Sequence, residues 1–467
     1  VSHTTPPPAR LPDGSRLELG TATASYQIEG GVADDGRGVS IWDTFAARPG
    51  TVRDGRDGTV ACDSYHRYAE DADLVAGLGL DWYRFSIAWP RVLPEGSGRV
   101  ETRGLDYYDR VVDALLERGV KPAATLYHWD LPQPLEDAGG WLARETPAAF
   151  ADYAEVVYAR LGDRVGLWAT HNEPWCAAYL GYAAGVHAPG RREGGAAHRA
   201  AHHLMLGHAW ASERLHSLGG SAGGCDVGIV LNLAPIRPGR SEAVELADQI
   251  DAVRNRVWLD PLAQGAYDDG LLRVAPELAD PGLVRPGDLE AIHDSADWVG
   301  INYYTPVRPD VVVAGRPPHP ERDAYPGTDP FDLVVPEPRT AIGWEIDATG
   351  LTDVLRETAA RIDRPLLVME NGAACSDEVI AEGRVADDDR IIYLRDHLAA
   401  VDVARAEGVD VRGYVVWTLL DNFEWAEGYT KTFGLVHIDH TDQRRTPKAS
   451  YAWLAGVVRE RSSSLTE

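Results

Sequence analysis

Four cysteines, Cys62, Cys176, Cys225 and Cys375, are spread through 467 residues. They form no C-x-x-C pair and no metal-ligand spacing, which sets aside a disulfide scaffold and a structural zinc site. Positive charge is also short. Forty-five basic residues face 72 acidic ones, the net charge is −27, and Lys121, Lys431 and Lys448 are the only lysines. A surface of that sign repels phosphate backbones and anionic lipid, so neither nucleic acid nor a membrane is an expected partner. No apolar run approaches the ~18 residues of a membrane span. Val1 to Pro8 lack the apolar stretch of a secretory leader, so a cytoplasmic location is expected. There is no G-x-G-x-x-G, Walker A, G-x-S-x-G or H-E-x-x-H motif. No cofactor and no metal is therefore expected.

What remains is an ordinary soluble composition, 44% hydrophobic and 25% charged, which excludes disorder. Short apolar runs alternate with amphipathic stretches. Candidate strands are Leu17–Ala22, Trp82–Ile87, Pro122–Tyr127, Leu167–Asn172, Val227–Leu231, Trp298–Tyr303, Leu366–Glu370 and Gly413–Thr418. Most are continuously apolar, as parallel strands covered on both faces must be. Helical periodicity lies between them: Leu105, Tyr108, Val112 and Leu115 recur at steps of three and four. Tyr65–Leu78, Pro147–Leu161, Ala197–Leu218, Leu351–Arg361 and Arg390–Glu407 read the same way. This alternation predicts a (β/α)8 barrel, with residues 1–467 as one domain and 1–15 as a flexible extension. Val32–Asp63, Ala177–Gly195 and Pro306–Asp347 are rich in Gly, Pro and charge and read as long loops at the strand ends where barrels build active sites.

The chemistry sits where the strands stop. The fourth ends Thr170-His171-Asn172-Glu173-Pro174-Trp175 and the seventh Met369-Glu370-Asn371-Gly372. Two glutamates delivered to one barrel mouth, each beside an asparagine, point to glycosidic bond cleavage. One carboxyl must be protonated to assist the leaving oxygen while the other attacks or activates water. Tryptophan outnumbers phenylalanine 14 to 6; its flat face and single N–H suit a pyranose ring. Trp129, Trp175, Trp417 and Trp425 follow strand ends, whereas Trp82, Trp168, Trp210 and Trp453 read as core. Gln27, His128, Asn172, Asn302, Tyr304 and Glu424 stand nearby as hydroxyl-binding candidates.

The motifs Ala24–Gly30, Tyr83-Arg84-Phe85-Ser86, Tyr127-His128-Trp129-Asp130-Leu131-Pro132, Asn172-Glu173-Pro174, Asn302-Tyr303-Tyr304, Glu370-Asn371-Gly372 and Trp417–Tyr429 occur in order along the chain. In this the chain resembles glycoside hydrolase family 1, the β-glucosidase family, over nearly its whole length. The resemblance implies a retaining mechanism, with Glu370 as nucleophile and Glu173 as acid/base. It places Gln27, His128, Asn172, Glu424 and Trp425 on sugar hydroxyls and Trp417 beneath the ring. Tyr304 would hydrogen-bond the nucleophile, and Arg84 would hold its charge, with Asn302, Trp129 and Phe433 as further supporting residues. Trp175 and Trp344 match positions flanking the aglycone. Glu424 stands where 6-phosphoglycosidases of the family carry serine, and Glu173 where thioglucosidases carry glutamine, so both branches are disfavoured. His171 departs from the family pattern; alternation with Asn172 should turn it outward. The reading is an exo-acting β-glucosidase with a small-molecule β-glycoside as its partner; monomer and homo-oligomer fit alike. The alternatives are β-galactosidase or β-fucosidase specificity and a catalytically silent sugar-binding barrel.

Overall fold

The computed structural model describes residues 15–219, 225–312, 319–380 and 384–463; the expected extension over 1–15 falls almost wholly outside them. Eight parallel strands close into a barrel in chain order: β1 (Glu18–Ala22), β2 (Trp82–Ser86), β3 (Lys121–Tyr127), β4 (Leu167–Asn172), β5 (Asp226–Asn232), β6 (Trp298–Asn302), β7 (Leu366–Asn371) and β8 (Val411–Trp417). β8 returns to β1 with Ala22 opposite Trp417. Every predicted strand is present, with no end displaced by more than two residues.

The outer helices follow the apolar periodicity. In Thr102–Glu117 the residues Leu105, Tyr108, Val112 and Leu115 are all buried against the strands. Sequence periodicity missed the segment between β5 and β6, where Val244–Asp251 and Val257–Gln264 are joined by a π-helical stretch over Ala252–Arg256 and Pro261 sits inside the second helix. Broken turns of that kind blur a 3.6-residue repeat. All three expected loops carry regular structure as well. Ile41–Ala46 is a helix set by a capping box, with Ser40 Oγ accepting from Asp43 N and Asp43 Oδ2 accepting from Ser40 N. Cys176–Ala183 is π-helical. The third, Pro306–Asp347, contains an antiparallel pair, Pro309–Val311 with Phe331–Leu333.

A small apolar cluster fills the barrel interior: Ala22, Ala123, Leu167, Ala169, Val230, Trp298, Met369 and Val415 among others, separate from the larger shell between strands and helices. Trp298 occupies the floor, and Gly228 and Gly300 are what admit it. A Cβ on Gly228 would lie 2.4 Å from the indole, and one on Gly300 2.8 Å from Val230. Truncating a buried tryptophan of this kind costs roughly 3–5 kcal/mol. Of the tryptophans read as core, Trp168 is fully buried, whereas Trp82, Trp210 and Trp453 are only half-buried. Among the described residues no helix is long and apolar enough to cross a membrane.

Candidate active site

Both glutamates reach the barrel mouth because their strands are irregular. Along β4, Leu167 and Ala169 face the interior and Trp168 the helices. Strict alternation would then send His171 inward and Asn172 outward. The pairing of β4 with β5 slips between Ala169 and Asn172, where three steps on β4 match two on β5. Thr170 and His171 consequently both face the helices, Thr170 Oγ1 on His208 Nδ1 at 2.8 Å and His171 Nε2 on Leu204 O at 3.0 Å. Asn172 is returned to the interior. β7 slips against both neighbours between Val368 and Asn371. Here the extra residue is inward: Met369 packs in the interior and Glu370 follows it to the same side, while Asn371 bonds Tyr393 and Tyr414 outside. Bulges at strand ends re-aim side chains in this way.

Glu370 is buried and held by two donors. Arg84 Nη1 donates to Oε1 at 2.6 Å and Tyr304 Oη to Oε2 at 2.7 Å. Arg84 is itself immobilised, donating to Thr125 Oγ1, Met369 O and Asn172 Oδ1. Burial pushes the Glu370 carboxyl up to about 7 against the pull of Arg84, and the charge of Glu173 adds to the rise.

Glu173 follows Asn172 directly and adopts a left-handed backbone, φ 45°, that turns the chain out of β4 into the π-helical segment. Neutral groups surround its carboxylate: Asn302 Nδ2 and Asn232 Nδ2 both donate to Oε1 at 2.8 Å, and Cys176 Sγ donates to Oε2 at 3.1 Å. The two sides are joined by amides, because Asn302 Nδ2 also reaches Asn172 Oδ1, the oxygen that Arg84 holds. With that oxygen doubly occupied, Asn172 Nδ2 must face His128 Nε2, 3.1 Å away, which leaves the imidazole hydrogen on Nδ1. Burial and the nearby Arg84 charge hold His128 well below the usual histidine range and hence neutral.

These groups open onto a cavity of about 440 Å³, within the range of small-molecule sites. Eleven of the predicted residues line it: Glu173, Glu370, His128, Tyr304, Trp417, Glu424, Trp425, Trp129, Phe433, Trp175 and Trp344. Gln27, Asn172, Arg84 and Asn302 do not, but all four are buried, and Arg84 bonds Glu370, Asn302 bonds Glu173 and Asn172 bonds His128. Gln27 spends both Nε2 hydrogens on Asn422 Oδ1 and Phe423 O, which leaves Oε1 as an unpartnered acceptor. His128 lies between Trp417 and Trp425, 5.8 Å from each ring. Trp425 in turn packs 4.5 Å from both Trp42 and Trp129. Trp175 carries the Arg254 guanidinium 4.0 Å over its ring, and Trp344 stands beside Tyr304 and Phe433. Glu424 is half-buried; burial, then the charges of Glu370, Glu173 and Glu427, push its carboxyl up to about 8.

Sequence reasoning missed Asn232, Cys176, Arg254 and Asn422. Asn232 had a signal, since it ends β5 as Asn172 ends β4, but the apolar run that marks the strand stops at Leu231. Cys176 lies one turn beyond Glu173. Arg254 and Asn422 come from a π-helical stretch and a loop, where no local pattern marks them.

Opposed carboxylates in a tryptophan-lined cavity at the C-terminal mouth of a β/α barrel define a glycoside hydrolase. The model of glycosyl hydrolase family 1 matches residues 12–463, and the chain belongs to that family. It is 46% identical over 462 residues to a bifunctional beta-D-glucosidase/beta-D-fucosidase of Bifidobacterium breve, covering 95% of this chain and 98% of that protein. It is 42% identical to beta-glucosidase A of Thermotoga maritima, over 96% and 98% of the two chains. Among solved structures, the beta-glucosidase of Thermotoga maritima in complex with deoxynojirimycin superposes with a TM-score of 0.89 at 40% identity, over 97% and 99% of the chains. The psychrophilic beta-glucosidase of Micrococcus antarcticus gives 0.90 at 44% identity, over 95% and 97%.

Proposed function

We propose that the protein is a retaining, exo-acting β-glucosidase that removes terminal non-reducing β-D-glucosyl residues from cellobiose-like and aryl glucosides. The observation that carries this reading is the unequal setting of the two carboxyls. Glu370 is ion-paired to Arg84 and bonded by Tyr304, as an attacking carboxylate needs. Glu173 is held by neutral donors, as a group that must gain and lose a proton needs.

In the first half-reaction a Glu370 oxygen bonds to the anomeric carbon as the bond to the aglycone oxygen breaks, and that oxygen takes the proton of Glu173. In the second, water adds to the anomeric carbon, its proton passes to Glu173, and the ester bond to Glu370 breaks. His128, Gln27, Asn172, Glu424 and Trp425 orient the sugar hydroxyls in this reading. Trp417 lies beneath the ring and Trp175 and Trp344 flank the aglycone, while Asn302, Trp129 and Phe433 brace the site. Residues 1–467 act as one catalytic domain.

The test is trapping with 2-deoxy-2-fluoro-glucosyl fluoride and peptide mass spectrometry. One added sugar on the peptide holding Glu370 is expected; no adduct, alongside turnover of an ordinary glucoside, would overturn the assignment. The Bifidobacterium breve relative is named for both glucoside and fucoside, so a second reading is dual specificity. Comparing kcat/KM on 4-nitrophenyl glucoside, fucoside and galactoside separates it from the first.

A further inference from the structure

Each oxygen of Glu173 meets a different chemistry. Oε1 accepts two amide hydrogens, from Asn302 and Asn232, each at 2.8 Å. Neither amide is free to turn. Arg84, a group that can only donate, occupies Asn172 Oδ1 at 2.7 Å. Asn302 Nδ2 donates to that same oxygen at 3.0 Å, so Asn302 must present its NH2 on this side. Arg254, equally restricted to donating, occupies Asn232 Oδ1 and thereby turns the Asn232 NH2 toward Glu173. The guanidinium of Arg254 is in turn fixed over the Trp175 ring. With two N–H groups against it, Oε1 cannot carry a hydrogen of its own.

Oε2 faces Cys176 Sγ at 3.1 Å, a thiol that is buried yet lines the cavity. A thiol is a weak donor and a weak acceptor. Resting on the acid/base reading of Glu173 above, we propose that the transferable proton sits on Oε2 alone. Arg254, acting through Asn232, and Cys176 are the positioning residues that keep it there. When Glu173 is the acid, its O–H lies between Sγ and the leaving oxygen; that O–H bond breaks as the aglycone oxygen gains the proton. When Glu173 is ionised, S–H donates to Oε2, and the proton taken from water returns to the same oxygen. No bond to sulfur forms or breaks. The other charged and titratable groups gathered about Glu173 are Glu370, Glu424, Tyr304, Arg84 and Arg254.

The experiment compares the wild type with Cys176→Ala, Cys176→Ser and Arg254→Met. Profiles of kcat/KM against pH are taken on an alkyl glucoside, which needs its leaving oxygen protonated, and on a dinitrophenyl glucoside, which does not. The S–H stretching band of Cys176 is isolated as the infrared difference between wild type and Cys176→Ala. A serine hydroxyl donates more strongly to the carboxylate than a thiol, so Cys176→Ser should move the basic limb to lower pH by roughly 0.5 unit or more. Arg254→Met, which frees Asn232 to turn, should lose on the order of 10-fold on the alkyl glucoside and little on the dinitrophenyl one. The S–H band should shift to lower frequency as pH rises through the basic limb, and Glu173→Gln should abolish that shift.

Superimposable pH profiles for wild type, Cys176→Ala and Cys176→Ser would overturn the proposal, as would a band that does not move. Equal losses of Arg254→Met on both substrates would remove Arg254 from it. Failure of the underlying reading looks different: Glu173→Ala would then lose the same factor on both glucosides.

Discussion

Glu370 and Glu173 are the same side chain in one cavity, yet they are surrounded in opposite ways. Glu370 meets a permanent cation, Arg84, and a phenol, Tyr304. Glu173 meets two amides and a thiol, none of them charged. A cation favours the ionised form at all times, whereas neutral donors and acceptors let a carboxyl cycle between forms. The contrast teaches that roles within a carboxylate pair are assigned by the strand ends on either side, β2 and β6 for one and β5 and β6 for the other, rather than by the glutamates themselves.

The largest break in this comparison comes from removing the nucleophile. Glu370→Gln should lower kcat by on the order of 10⁵-fold or more with the fold retained. Turnover at the wild-type rate, with circular dichroism unchanged, would sink the assignment of Glu370. Glu173→Ala should show the other half of the contrast. A loss of roughly 10²–10⁴-fold is expected on an alkyl glucoside, and far less on a dinitrophenyl glucoside, measured as the ratio of the two kcat/KM values.

Arg84→Met tests the cation directly. Because Arg84 pulls the Glu370 carboxyl down while burial raises it, its removal should move the acidic limb of kcat/KM to higher pH. Tyr304→Phe should move it the same way by less. A limb unchanged in both variants would separate the hydrogen bonds from the reactivity they are taken to explain.

The smallest effect is on stability. Burial raises both Glu370 and Glu424, to about 7 and about 8. Such groups hold protons in the folded state that the unfolded chain releases near pH 4.5, so they cost stability as pH climbs from there through the folded values. Glu424→Gln should therefore melt above the wild type at pH 8, by a few degrees at most, and the gap should close at pH 5. A melting difference independent of pH would show that Glu424 carries no such burden.

Much of this molecule was legible in its sequence. Leu167–Asn172 and the other apolar runs each formed the expected strand, and the amphipathic stretch around Leu105 and Val112 formed the expected helix. Glu173, Glu370, His128 and the tryptophans at strand ends did converge on one cavity. The helices between β5 and β6 were not legible, because π-helical turns and Pro261 interrupt their repeat. Arg254 and Asn422 were not legible either, since each acquires its meaning from a partner far along the chain.

By itself, then, the sequence determined the order of strands and helices, the acidic surface and which residue types stand at the barrel mouth. These follow from local periodicity and from composition, which a linear chain already contains. Only the tertiary structure decided where those residues point. A two-residue period carried along β4 or β7 would have turned Asn172 and Glu370 to the wrong side, and what corrects it is a slip in pairing against β5, β6 and β8. It likewise decided that Arg84 holds Glu370 while Arg254 turns Asn232 toward Glu173. A bulge exists only between strands, and the electrostatic setting of a buried carboxyl is made by whatever the fold brings against it.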